Sequence, residues 1–248
     1  MYKYGYIGPT TREVMIEDTK PRGVGPGIHS EPLLPPDVVR VGTGIGIRDY
    51  TPEGVEEAIV RYRACVDEVV KEGAQRTFLA GFPISAQLGR KRALALFEET
   101  AQRTGLPASS DAEATIESMK HLGVTRVAVA SRWAEELNAN LAQYLRDGGM
   151  EVLHVTSAGQ WVQQAHAMSI DEGIKLSLQL GKQAIKSSHG AQGLLIPGGS
   201  WRPLAAIAFL EEEYGLPVFS NPTAVPWVLI HEGIAPPVRG WGTLLATP

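Results

Sequence analysis

The chain has 248 residues, 44% of them apolar and 20% charged, with a formal net charge of −4. That is enough apolar material for one large α/β domain or two small ones, and without a run of Lys or Arg there is no electrostatic footprint for nucleic acid or an anionic membrane surface. A single cysteine, Cys65, excludes an internal disulfide, and no Cys/His cluster has zinc spacing.

Short apolar or β-branched runs alternate with longer amphipathic stretches, the pattern of βα units feeding a parallel sheet. In chain order the pattern predicts strands at 3–8 and 38–47, one helix over 51–73, a strand at 76–81, helices at 89–103 and 111–122, and a strand at 125–131. It continues with a helix at 134–147, a strand at 151–155, a helix at 171–187, a strand at 192–198, a helix at 202–213, a strand at 217–220 and a last helix near 223–232. Thr51 is the expected N-cap of the 51–73 helix, with Pro52 at its first position, Glu53 in its first turn and Gly73 closing it. The N-terminal MYKYGYIGPTTREV has neither the basic stretch nor the apolar run of a signal peptide, so the expectation is a cytoplasmic protein without a membrane partner.

Two segments share one plan. RTFLAGFPISAQLGRKRALALFEETAQRTGLPASSD and QGLLIPGGSWRPLAAIAFLEEEYGLPVFSNP each run from a buried strand through a Gly/Pro turn with hydroxyl groups into an amphipathic helix, then Gly-Leu-Pro and a serine. Two similar α/β halves follow, with the turns after 76–81 and 192–197 lining a shared cleft at the carboxyl ends of their strands. The competing explanation is two unrelated βα loops with the usual Gly, Pro and Ser content.

Further stretches resemble the Asp/Glu racemase superfamily, in the branch of maleate cis–trans isomerases and arylmalonate decarboxylases. Pro9-Thr10-Thr11-Arg12 is similar to the Pro-Ser-Ser-Asn-like residues after the family's first strand. TPEGVEEAI (51–59) resembles its Thr-x-Glu-Gly helix start. ASRWAEELNANL (130–141) resembles its Ala-Thr-Pro-Tyr run, with Trp133 at the tyrosine and Asn138 at the following asparagine. FSNPTAVPWVLIHEG (219–233), which carries Asn221, is similar to the Ser-rich turn before the closing helix, and RGWGTLL (239–245) to the decarboxylases' Gly-Tyr-Gly-Arg-Leu ending. The resemblance implies two Rossmann-like or flavodoxin-like halves, 1–112 plus 228–248 and 113–227, with the site in the cleft between them. It also implies a small carboxylate substrate and no cofactor; a homo-oligomer is a base expectation for a chain of this type, with no interface visible in the sequence.

The resemblance fails at the thiols. The family places a cysteine after the corresponding strand in each half, or in the second only for the decarboxylases. Here the turns read Ala80-Gly81-Phe82-Pro83-Ile84-Ser85 and Ile196-Pro197-Gly198-Gly199-Ser200, with Pro197 where the decarboxylase thiol stands. Cys65 falls inside a predicted amphipathic helix, where cysteine is usually a small apolar packing residue.

What remains suits an oxyanion. Gly81, Phe82, Gly198, Gly199 and Ser200 offer backbone N–H groups, and Thr10, Thr11, Ser85 and Ser200 offer hydroxyls. Arg12, Arg132 and Arg202 each have two uses, a bidentate pair with a carboxylate or a solvated surface fork, and Arg12 is the favoured carboxylate partner. Phe82, Ile84, Trp133 and Trp201 can wall an apolar pocket or fill ordinary core. His166 can supply a proton near neutral pH or simply be a packed or surface histidine. The expected function is a decarboxylase-like lyase with His166, Ser200 and Ser85 as catalytic candidates. The alternatives are an isomerase or hydratase of an unsaturated acid, or a non-catalytic binding protein.

Overall fold

The computed structural model describes residues 1–10, 33–161, 164, 168–199 and 201–247; Thr11, Arg12, His166 and Ser200 lie outside them. Apolar runs without alternation form strands covered on both faces, as parallel sheets require. The clearest is Arg126–Trp133, buried at every position after its first. Strands β1 (Tyr2–Gly8), β2 (Val38–Gly44), β3 (Thr77–Leu79) and β4 (Ala108–Ser110) pair in the order β2-β1-β3-β4. Strands β5 (Arg126–Trp133), β6 (Glu151–Gln160), β7 (Gly193–Leu195) and β8 (Val218–Phe219) pair in the order β6-β5-β7-β8. Every pairing is parallel, and the second sheet repeats the winding of the first. The expected two similar α/β halves are present.

The single helix expected over 51–73 is two, α1 (Pro52–Ile59) and α2 (Tyr62–Lys71). The ladder tightens where Arg61 N–H bonds to Ala58 O, three residues back, at 3.1 Å. Arg61 then reaches out of the helix to the carbonyls of Ile45 and Gly46, at 2.5 and 2.9 Å. Thr51 caps α1 as expected, its hydroxyl accepting the Gly54 N–H at 3.1 Å. The sequence pattern also hid α3 (Phe82–Leu88), which packs too completely to show an amphipathic period, and β4, only three residues long. Strand β6 runs on to Gln160, past the expected end at 155. The remaining helices are α4 (Arg90–Thr104), α5 (Asp111–His121), α6 (Glu135–Asp147), α7 (Ile170–Ser187), α8 (Leu204–Tyr214), α9 (Asn221–His231) and α10 (Thr243–Ala246). None of the described helices is long and apolar enough to cross a membrane.

The halves meet through α5 against α9 and α3 against α6. The first of these contacts joins counterparts. Residues 105–123 and 215–233 align without a gap, sharing Gly105/Gly215, Leu106/Leu216, Pro107/Pro217, Ser110/Ser220, Ala114/Ala224, His121/His231 and Gly123/Gly233. Each Gly-Leu-Pro closes the helix before it, α4 or α8, with its glycine left-handed at φ +71° or +65°. Each proline carbonyl then accepts an N–H from the preceding strand, alongside it in the sheet, from Thr77 of β3 at 2.9 Å and from Leu194 of β7 at 3.0 Å. At the far ends of α5 and α9 the rings of His121 and His231 lie 4.9 Å apart, with Trp227 stacked on His231 at 5.1 Å.

Candidate active site

In a sheet wound β2-β1-β3-β4, crossovers leave β1 and β3 in opposite directions and open a crevice beyond their carboxyl ends. Pro9 and Thr10 follow β1 there, and Gly81 follows β3; a side-chain carbon built on Gly81 would lie 3.9 Å from Pro9 Cδ and 3.1 Å from Ile84 Cδ1. In the second sheet the equivalent crevice lies between β5, ending in Arg132-Trp133, and β7, followed by Pro197-Gly198-Gly199. Gly198 carries Trp133 against it: a side-chain carbon would stand 3.2 Å from the Trp133 ring, and φ is +88°. Both features require glycine at that position.

The two turns are joined. The Gly81 N–H donates to Asp111 Oδ2 at 2.9 Å, and the Gly198 N–H donates to Asn221 Oδ1 at 2.9 Å. Asn221 Nδ2 in turn donates to the same Asp111 Oδ2 at 2.9 Å. Asp111 and Asn221 are counterpart positions of the internal repeat and open α5 and α9. This unbroken chain of hydrogen bonds crosses from one sheet to the other and brings the two turns together. It also removes two expected donors, because the N–H groups of Gly81 and Gly198 already have acceptors. The remaining backbone candidates among the described residues are Phe82 and Gly199.

Electrostatics concentrate at the same place. Burial pushes the Asp111 carboxyl up to about 6, against the opposing bonds from Asn221 and Gly81. Burial pulls the Arg132 guanidinium down to about 10, with Tyr50 opposing the shift. Tyr50 feels both groups: burial raises its phenol, Arg132 lowers it and Asp111 raises it further. The solvated surface fork is therefore excluded for Arg132, which is only 2% exposed and reaches Trp161 O at 3.4 Å. Trp161 closes back on the first half through its indole N–H, 2.8 Å from Asp49 Oδ1. Sequence reading missed Asp49, Tyr50, Asp111 and Trp161. The signal for Asp111 was present as the partner of Asn221 in the 105–123 and 215–233 repeat.

The other candidates divide into framework and wall. Asn138 spends its amide donors on Trp133 O at 2.7 Å and Ser157 Oγ at 3.1 Å, so it holds the end of β5 in place. Trp201, fully buried, donates its indole N–H to Pro197 O at 2.9 Å and braces the second turn. Phe82 sits edge-on to Tyr144 at 5.9 Å, with Pro83 and Ile84 buried beside it. Ser85 is fully enclosed, and its hydroxyl has no hydrogen-bond partner among the described residues. Arg202, at φ +64°, lies partly exposed beyond the second turn. Cys65 is buried in α2, which packs on β1 and β2, and burial raises its thiol pKa.

Comparison with known proteins agrees with this arrangement. A family model described as arylmalonate decarboxylase matches residues 24–245. An arylmalonate decarboxylase from Bordetella bronchiseptica is 29% identical over 213 residues, which cover 85% of this chain and 88% of that protein. The structure of an unliganded arylmalonate decarboxylase aligns over 100% of both chains with a TM-score of 0.82 at 26% identity. A maleate cis–trans isomerase from Nocardia farcinica, with a covalently bound succinylcysteine intermediate, aligns over 100% of this chain and 99% of its own. Its TM-score is 0.80 at 18% identity, a likeness of fold alone.

Proposed function

Because the chain belongs to the arylmalonate decarboxylase family, we propose that it removes one carboxylate, without a cofactor, from a small malonate-like diacid held between its two strand-end turns. The observation that carries this reading is the hydrogen-bonded junction that brings the Gly81 and Gly198 turns of the two halves together, with the buried guanidinium of Arg132 at the end of β5. A guanidinium at that position can form a bidentate pair that fixes a substrate carboxylate in one orientation. Thr10 and the backbone N–H groups of Phe82 and Gly199 complete the donor set. The second carboxylate would lie against the apolar ring of Trp133, with Trp201 bracing the turn behind it.

Desolvation favours loss of a leaving carboxylate as neutral CO₂. The carbon–carbon bond breaks, its electron pair passes into the retained carboxylate as an enediolate, and the donors stabilise the charge that develops there. One proton then returns to the α-carbon, leaving a monoacid and CO₂. His166 and Ser200 stay proposed for that proton transfer, and Ser85, enclosed as it is, would serve as framework.

The test is incubation of the purified protein with aryl- and alkyl-substituted malonates, following CO₂ release and the monoacid. Turnover with one CO₂ per monoacid supports the reading. Saturable binding without CO₂ would replace it with a binding protein, and geometric isomerisation of an unsaturated diacid without CO₂ would replace it with an isomerase.

A further inference from the structure

We infer that Asp111 and Asn221 are positioning residues for this reaction, a buried latch that sets the spacing of the two strand-end turns so that both halves address one substrate. The inference rests on the proposed decarboxylation and adds to it a device that couples the halves. Asp111 is 2% and Asn221 9% exposed, so the latch is shielded from competing water. Each residue is the first of its helix, α5 or α9, and each accepts the N–H of a glycine held in the left-handed region, at φ +100° and +88°. Fixing those N–H groups fixes the peptide planes that lead to the next amides, of Phe82 and Gly199. The link between the two arms is the bond from Asn221 Nδ2 to Asp111 Oδ2. Without it, this chain of hydrogen bonds no longer runs from one turn to the other, and the first turn meets the second half through packing such as that of Phe82 on Tyr144.

The polarity of the latch supplies the controls. Asp111 Oδ2 accepts two bonds, while Oδ1 has no hydrogen-bond partner among the described residues. In Asp111→Asn the amide oxygen can take both N–H groups and its NH₂ can occupy the Oδ1 position, so the latch closes without the negative charge. Asp111→Ala and Asn221→Ala open it.

The experiment measures kcat and KM for CO₂ release from a substituted malonate in the wild type and these three variants, with thermal melting to confirm folding. Amide hydrogen exchange at Gly81 and Gly198 is measured in parallel. Misplacement of reacting groups by about an ångström costs about 100-fold in rate, so both alanine variants are expected to lose kcat on that scale, with KM changed far less. Asp111→Asn is expected to recover most of the loss. Exchange should quicken at both glycines in either alanine variant. A folded Asn221→Ala with wild-type kcat would overturn the latch, as would an Asp111→Asn as impaired as Asp111→Ala. Exchange that changes only in the substituted half would do the same. If the wild type released no CO₂, decarboxylation would fall while the exchange experiment still decided the coupling.

Discussion

Three single residues test the site directly. Arg132→Met keeps the bulk of the side chain and removes the cation. A charge-assisted hydrogen bond is worth about 1.5–3 kcal/mol, so KM for the diacid should rise about 10- to 100-fold in steady-state kinetics while the protein stays folded; an unchanged KM would remove Arg132 from the site. Gly198→Ala combines a left-handed backbone with a side-chain carbon 3.2 Å from the Trp133 ring. Forcing an L-residue into that region costs about 1–2 kcal/mol, so a lower melting temperature is expected together with reduced turnover. Cys65→Ala should cost about 1 kcal/mol or less of stability through lost packing and leave the rate intact. A collapse of turnover in a folded Cys65→Ala protein would give the thiol a role that its place in α2 denies it.

At the scale of elements, the site depends on where two helices begin. Ser110 caps α5 by accepting the Glu113 N–H at 3.1 Å. Glu113 is further held by Arg90, with Nε and Nη2 at 3.0 and 2.9 Å from its two carboxylate oxygens, which ties α4 to α5. Removing such a cap costs about 1 kcal/mol. Ser110→Ala should lower stability by about that amount in urea unfolding, and it should disturb turnover beyond its effect on stability, because the next residue is Asp111. The elements themselves were largely legible. Buried apolar runs gave the strands, and caps with amphipathic periods gave most of the helices. The exceptions have physical causes: α3 is buried on nearly all sides, β4 is too short to carry a period, and the split between α1 and α2 depends on Arg61 finding carbonyls in a distant loop. The site was legible in part. The two glycine turns and Arg132 stood out as residue types suited to anions, whereas Tyr50 and Trp161 matter only through contacts between loops far apart in the chain.

At the scale of the whole molecule, Asp111 links the fold to pH. Its carboxyl is raised from 3.8 to about 6 by burial. The native state therefore takes up a proton between about pH 6 and pH 4 that the unfolded chain does not, and stability from this group rises as pH falls through that window. Above pH 6 the buried charge imposes its full cost. At about 1.4 kcal/mol per pH unit, the contribution is about 3 kcal/mol. The difference in unfolding free energy between wild type and Asp111→Asn should therefore shift by about that amount between pH 4 and pH 8 in favour of the variant at high pH. A difference that stayed flat across this range would mean that the carboxyl keeps its ordinary acidity inside the fold.

The pairing of Asp111 with Asn221 also bears on how unlike the two walls of the cleft must be. Rotation about a two-fold axis would bring each residue onto its own twin, and two carboxylates facing one another away from solvent would repel. With both copies carried on one polypeptide, the twins are free to differ, and here one is anionic while the other is a neutral amide with a donor end and an acceptor end. The bond between them thus has a direction, running from the second repeat to the first. The malonate-like diacid proposed as substrate has two chemically identical carboxylates, and a cleft built from unequal repeats would give each of them a setting of its own.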